Sequence, residues 1–285
     1  MAGVAVESPP APKVEHAVDE LHALLRGRRT VALTGAGMST DSGIPDYRGP
    51  DSPPRSPMTY QQFVGDTDFR RRYWARNHVG WRYVDSAVPN AGHRALASLE
   101  KAGHVNALIT QNVDLLHTKA GSRRVIDLHG TYAQIRCLRC NDLTSRHALS
   151  ERLERANPEF AATLVKGDEI APDADAVVAR TDHFRPVDCV RCGGMLKPDI
   201  VYFGESVPRE RVAAAFSLVE NAERLLVAGS SLTVMSGLRF VRRAAKLGIP
   251  VAIINRGHTR GDEFATLKIE LGCSEVLAGL VQRVH

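Results

Sequence analysis

Cys137-Leu-Arg-Cys140 and Cys189-Val-Arg-Cys192 form two C-x-x-C pairs. Together they supply four thiolates, enough to close a tetrahedral shell around Zn²⁺ and leave no position for water or substrate, so the site they imply is structural. The 48 residues between Cys140 and Cys189 exceed the roughly 15–20 of the usual spacing, and a redox role for a single pair is the competing reading. Residues 141–188 carry ten Asp or Glu against six Lys or Arg. A module that is net negative grips a polyanion poorly, which argues against a nucleic-acid-binding ribbon. The fifth cysteine, Cys273, belongs to neither pair.

Gly35-Ala-Gly37-Met-Ser39 follows the short apolar run Thr30 to Thr34. Glycines after a strand let the backbone approach a pyrophosphate, and the helix start beyond supplies N–H donors. The third glycine of a dinucleotide fingerprint is replaced by Thr40, and the position about 20 residues on, where a dehydrogenase keeps an acid for the ribose, falls in a Pro-rich loop. Hydride transfer is therefore disfavoured; alone, the turn could equally be an ordinary strand-to-helix connection. Gly43-Ile-Pro-Asp46-Tyr47-Arg48-Gly49 places acid, aromatic ring and guanidinium in succession. That series suits a loop closing over a charged, ring-containing ligand, or a structural turn with a surface ion pair.

Polar residues recur at strand ends, where open α/β sheets bind ligands. Gln111, Asn112 and Asp114 follow one strand signal and offer amide and carboxylate groups suited to a carboxamide and a ribose; Asn112 alone could be a helix cap. His129 ends another strand signal and could serve as a general base near neutral pH or as a structural histidine. Gly229-Ser230-Ser231-Leu232 and Asn255 end two more. His93 and His117 read as structural, each fixing a loop against a helix start.

The elements that position these groups follow from periodicity. Val14, Val18, Leu21, Leu24 and Leu25 recur at helical spacing, so a helix should run to about Arg26. Strand signals lie at 30–34, 106–110, 125–128, 200–203, 225–228 and 251–254, with helical segments at 208–222 and 237–247. Alternating strands and helices imply a parallel sheet covered on both faces. Residues 49–57 hold four prolines in nine positions and cannot form a regular element; they lead into a helical, aromatic and basic stretch that includes Phe69 to Trp81. Over 285 residues the chain is 44% hydrophobic and 24% charged, with a formal net charge of +5. These values exclude collagen, coiled coil and wholesale disorder, and the charge is small for a nucleic-acid-binding protein of this length. Apolar runs such as Leu225 to Ala228 are far too short for a membrane span, and the N-terminal residues lack a secretory or transit pattern, so a cytoplasmic location is expected.

In combination, GAGMS, GIPDYRG, TQNVDLLH, the His129-Gly130 pair, the two C-x-x-C pairs, GGMLKPDIVYFGE and GSSL occur in the order found in sirtuins, the NAD-dependent protein lysine deacylases. The resemblance covers residues 14 to 284. RRYWARNHVGW, the long insert between the cysteine pairs and Tyr47 in place of the usual Phe are similar to class II members in particular. It implies an α/β fold: a Rossmann-like domain from 14–50, 90–130 and 199–285, a helical insertion at 51–89, a structural zinc module at 131–198 and a flexible tail at 1–13. It further implies that Gly35, Ala36, Gly37, Ser39, Asp46, Arg48, Val113 and the Gly229-Ser230-Ser231 turn hold NAD, with Asn255 and Cys273 near the adenine. Gln111, Asn112 and Asp114 would line the nicotinamide and ribose pocket, and Tyr47 would shield the reacting sugar carbon. His129, Asn112 and Asp114 form the implied catalytic set, and Cys137, Cys140, Cys189 and Cys192 the ligands of one structural Zn²⁺.

In the family mechanism the acyl-lysine carbonyl oxygen attacks the sugar carbon as nicotinamide leaves. His129 would then activate a ribose hydroxyl, which attacks the resulting imidate, and water would release free lysine with O-acyl-ADP-ribose. The expected partner is an acyl-lysine protein or peptide, adding as a strand beside Val201 to Glu205, with no direct nucleic-acid or membrane partner. Tyr73-x-x-Arg76 matches a spacing that recognises acidic acyl chains in another sirtuin class, or is a helix-surface Arg packed by aromatics. Protein ADP-ribosyl transfer and a catalytically weak NAD or ADP-ribose sensor are the alternatives the family also offers. Acyl preference and oligomeric state are not readable from sequence.

Overall fold

The computed structural model describes residues 12–47, 57–160, 174, 176, 178 and 181–284. The proposed tail (1–13), apart from its last two residues, and most of the Pro-rich loop, with Arg48, lie outside them.

Six strands form one parallel sheet: β1 (Thr30–Thr34), β2 (Ala107–Thr110), β3 (Val125–Asp127), β7 (Arg224–Ala228), β8 (Val251–Ile254) and β9 (Leu267–Ile269). Their order is β3-β2-β1-β7-β8-β9, with every pairing parallel. The order reverses between β1 and β7, so a crevice opens beyond the C-terminal ends of those two strands. The central strands read as continuous apolar runs because both faces are covered. Ala32, Leu108, Leu226 and Ala252 face a cluster with residues of α1 (Pro12–Leu25), α4 (Ala91–Lys101) and α9 (Cys273–Val284). Their neighbours Val31, Leu33, Ile109, Leu225, Val227 and Ile253 face α7 (Arg209–Glu220) and α8 (Met235–Lys246) on the other side. This is the period-two alternation of a pleated strand.

A second lobe interrupts the domain. Strands β4 (Gly130–Cys137), β5 (Leu143–Ser145) and β6 (Leu196–Ile200) make a three-stranded antiparallel sheet in the order β5-β4-β6. The expected strand at 200–203 is corrected here: the strand is β6, which ends at Ile200, and belongs to this small sheet. Its apolar run continues because Tyr202 packs inward on Phe63 and Tyr73, not because a strand continues. Helices α2 (Tyr60–Gly65), α3 (Thr67–Ser86) and α6 (Arg146–Ala156) share one core with this sheet, in which Phe63, Trp74, Trp81, Leu149, Cys137 and Cys189 are all buried. The helical stretch and the cysteine pairs therefore stabilise one another.

The joint between the two parts is sharp. Gly130 opens β4 at φ +83°, and a Cβ there would lie 1.9 Å from the Asp199 carbonyl oxygen. Only glycine lets β4 and β6 close directly behind His129, whose own carbonyl accepts the Val201 N–H at 2.8 Å. Strand β9 goes unseen in the sequence because Leu267-Lys-Ile269 is too short to show a period. Helix α8 begins at Met235, two residues earlier than its apolar periodicity indicates.

Candidate functional site

Two glycine turns meet at the crevice. After β1, the Gly35 N–H donates to the Ala228 carbonyl at 3.2 Å, and the Gly37 N–H donates to the Gly229 carbonyl at 2.9 Å. Gly229 has φ +64°, and a Cβ on it would come within 2.2 Å of the Met38 nitrogen; one on Gly35 would meet Ser230 at 2.8 Å. The two chains thus run backbone to backbone, and both turns expose main chain toward the crevice.

The polar residues after β2 tie into these turns. Gln111 Nε2 donates to the Thr34 carbonyl at 3.1 Å and to Ser230 Oγ at 2.9 Å. Asn112 Nδ2 donates to the Gly35 carbonyl and to Ser39 Oγ, each at 3.0 Å, while Ser39 Oγ donates to Asp114 at 2.7 Å. The Leu116 N–H donates to the other Asp114 oxygen at 2.9 Å. Burial pushes the Asp114 carboxyl above its ordinary range, against these two donors and Lys119. The bland reading of Asn112 as a helix cap fails, because its side chain bridges two strand ends.

His129 reaches the crevice from the end of β3. Its Nδ1 lies 2.9 Å from the Gln111 carbonyl and its Nε2 2.8 Å from Ser236 Oγ. Burial lowers the imidazole pKa, helped by Arg239 and Arg211 and opposed by the Gln111 carbonyl. The ring is a neutral base near pH 7. Asp127, two residues before it, is raised to about 6 by burial, with Arg211 working against the rise.

One cleft of about 1410 Å³ runs along these groups. Of the residues singled out from sequence, Ala36, Gly37, Ser39, Asp46, Tyr47, Gln111, Asn112, Val113, Asp114, His129, Gly229, Ser230, Ser231, Asn255 and Cys273 border it. Gly35 lies just behind, shaping the turn, and Arg48 lies outside the described residues. Asn255 spends its Nδ2 on the Arg256 and Gly257 carbonyls, holding its own turn. The Cys273 thiol, pushed up to about 12 by burial, faces the Ile254 carbonyl at 3.7 Å, which makes it an inert packing group. Residues 201–205 and Leu232 to Val234 also border the cleft.

Sequence reading passed over Ser236 and Arg239, which also border the cleft. Their i, i+3 spacing is a helix-face signal, lost because the helix was started after Ser236. Tyr73 and Arg76 do not border it: Tyr73 is buried against Phe63, Trp74 and Tyr202, and Arg76 Nε donates to the Ala176 carbonyl at 2.7 Å. Their spacing is that of a packed helix. His93 accepts the Asn90 N–H in a capping box, and His117 bonds Thr34 Oγ1 at 2.9 Å; both are structural.

The four cysteines gather on the far side of the small lobe, their Sγ atoms all within 4.8 Å of one another. Cys137 and Cys192 are 3.5 Å apart and Cys140 and Cys189 3.8 Å. A tetrahedral Zn²⁺ with bonds of about 2.3 Å spaces its sulfurs about 3.8 Å apart. No disulfide fits such separations, so the thiols suit a structural zinc site. The Arg139 N–H donates to Cys137 Sγ at 3.4 Å, the kind of support a thiolate ligand needs.

The geometry agrees with known proteins. Residues 35–236 match the model of the Sir2 family. The chain is 67% identical over 267 residues to NAD-dependent protein deacetylase 1 of Mycobacterium avium (strain 104), covering 93% of this chain and 95% of that one. It is 49% identical to NAD-dependent protein deacetylase 1 of Streptomyces coelicolor, covering 91% and 87%. Among solved structures, one of Sir2 with a p53 peptide and NAD+ superposes with a TM-score of 0.76 at 32% identity, covering 94% of this chain and 98% of that one. Another, Sir2 bound to an acetylated peptide, gives 0.73 at 30% identity over the same shares.

Proposed function

Because the chain belongs to the Sir2 family, we propose that it is an NAD-dependent protein lysine deacetylase, with NAD consumed as co-substrate in the cleft at the β1/β7 crossing and zinc held as a structural ion. The observation that carries this reading is the convergence of Ser39, Gln111, Asn112, Asp114, His129 and Ser230, from four separate stretches of chain, into one hydrogen-bonded wall of that cleft.

Bound NAD supplies an activated sugar carbon and nicotinamide as leaving group. In the two glycine turns the Gly35, Gly37 and Gly229 N–H groups bond within the protein, so Ala36, Ser230 and Ser231, which border the cleft, supply the N–H groups and hydroxyls for its phosphates and adenosine ribose. Asn112 and Asp114, held through Ser39, fix the nicotinamide end, and Tyr47 covers it. His129 acts as general base on a ribose hydroxyl: its Nδ1 is anchored on a carbonyl, so Nε2 takes the proton. With NAD bound, the ribose oxygen would bond to the acyl carbon, the acyl carbon's bond to the lysine nitrogen would break, and one water molecule would be consumed to complete the transfer and free the lysine. The acyl-lysine segment enters along residues 201–205 and the loop after Ser231, both of which border the cleft. No helix among the described residues is long and apolar enough to cross a membrane, and the reading includes a cytoplasmic place of action.

Incubating the protein with acyl-lysine peptides, with and without NAD, and following nicotinamide and O-acyl-ADP-ribose by mass spectrometry tests the assignment. His129→Ala should fold, bind zinc and lose NAD-dependent deacylation; unchanged turnover would sink it.

A further inference from the structure

His129 is held at both ring nitrogens by two different parts of the chain. Nδ1 faces the Gln111 carbonyl at 2.9 Å; a carbonyl only accepts, so this nitrogen carries the proton and Nε2 keeps the lone pair. The partner of Nε2 is Ser236 Oγ at 2.8 Å, which therefore donates. The nitrogen that has to receive the substrate proton is already occupied by a hydroxyl from the first turn of α8. Among the described residues, that hydroxyl bonds to His129 alone.

The helix start is itself pinned to the same assembly. Next to Ser236, Gly237 comes so close to the Gln111 side chain that a Cβ would lie 2.4 Å from its Oε1. Gln111 in turn holds Ser230 and Thr34. The start of α8, Gln111 and the imidazole form a rigid triangle, so the ring is referenced to both glycine turns. A helix start packed this tightly defines a direction for Nε2 to better than a rotamer width.

We propose that Ser236 is a positioning residue for His129: it aims Nε2 into the cleft in the resting site and releases it, by rotation of one hydroxyl, to the ribose hydroxyl that His129 deprotonates. The inference rests on the deacetylase reading. In the step itself the ribose O–H bond breaks, its proton forms the Nε2–H bond, and the oxygen becomes the nucleophile toward the acyl carbon. Ser236 keeps its own proton throughout and, once Nε2 is protonated and the hydroxyl has turned back, can accept from it. Cleavage of NAD, which precedes this step and does not use His129, is outside its reach.

The test compares the zinc-loaded full chain with Ser236→Ala, Ser236→Thr and His129→Ala. Exchange of labelled nicotinamide into NAD in the presence of acetyl-lysine peptide reports NAD cleavage, release of free-lysine peptide reports the complete reaction, and ¹⁵N NMR of histidine-labelled protein reports Nε2. Ser236→Ala should keep exchange and the KM for NAD within about twofold while peptide release falls about tenfold, the size of one lost neutral hydrogen bond. Its Nε2 resonance should move with the Nδ1–H tautomer intact, and Ser236→Thr should restore turnover. Wild-type release by Ser236→Ala overturns the proposal, as does a parallel fall of exchange, NAD affinity and release, which marks a structural or NAD-binding role. If the unmodified chain neither exchanges nor deacetylates, the deacetylase reading fails first and the role given to Ser236 falls with it, an outcome separable from the others because it precedes any substitution.

Discussion

Three buried histidines, His78, His93 and His117, make folding stability sensitive to mild acid. Burial, with Arg146 and Arg82 nearby, lowers His78 to about 3. Burial and Arg94 lower His93 to about 4, and burial and His93 hold His117 well below its usual value. In the unfolded chain each titrates near 6.5. These are groups whose folded pKa is depressed, so below about pH 6.5 the unfolded state binds more protons and stability falls with pH. From about pH 8 to about pH 5.5 each costs about 1.4 kcal/mol, set by the unfolded pKa alone, which gives about 4 kcal/mol for the three. Asp127, raised to about 6, works the other way, because the folded state protonates first, but returns less than about 1 kcal/mol over that window. For these four groups together the loss is about 3–4 kcal/mol, a large share of an ordinary domain's stability; His129, also lowered by burial, adds to it, and Asp114, raised by burial, works against it. Urea unfolding with saturating zinc, at pH steps across the window, measures it. His78→Gln, neutral at every pH, should remove about 1.4 kcal/mol of the dependence. A wild-type change under about 1 kcal/mol, or a His78→Gln chain with the full dependence, refutes the claim that these rings stay neutral in the fold.

Gly229→Ala forces a side chain into a left-handed turn 2.2 Å from the Met38 nitrogen; it should cost about 2 kcal/mol or more, visible as a lower Tm, and weaken NAD binding in calorimetry. Ser39→Ala leaves the buried Asp114 with the Leu116 N–H as its hydrogen-bond donor in place of two; a loss of about 1.5–3 kcal/mol is expected. It should also raise the Asp114 pKa further, moving the acid limb of the pH–rate profile upward. Cys189→Ser opens the four-thiolate cluster, so zinc content by mass spectrometry should fall and residues 130–200 should become the first target of limited proteolysis; the parallel sheet, whose clusters lie apart from that lobe, should hold longer.

Much of the site was legible because its residues sit where a period breaks. Gln111, Asn112, His129 and the Ser230 turn each end an apolar strand run, and an open parallel sheet brings such ends together. The cysteine pairs were legible because thiolate chemistry permits few spacings. Ser236 and Arg239 were not, since nothing in Met235-Ser-Gly-Leu-Arg239 separates a residue facing a cleft from one facing solvent. Residues 200–203 misled because burial against an aromatic cluster and burial in a sheet produce the same apolar run.

The sequence by itself determined the strand cores, the glycine turns, the chemistry gathered at the strand ends and the four-thiolate set, because each follows from local periodicity or from what a side chain can ligate. Only the tertiary structure decided that α3 and the cysteine lobe share one core, that Tyr73 and Arg76 belong to it and not to the cleft, and that a hydroxyl from α8 meets Nε2 of His129. Those are contacts between segments a hundred residues or more apart, as in His129 to Ser236 and Tyr73 to Tyr202. Their pairing depends on how the sheet order and the helix starts fold back on each other, which no local pattern encodes.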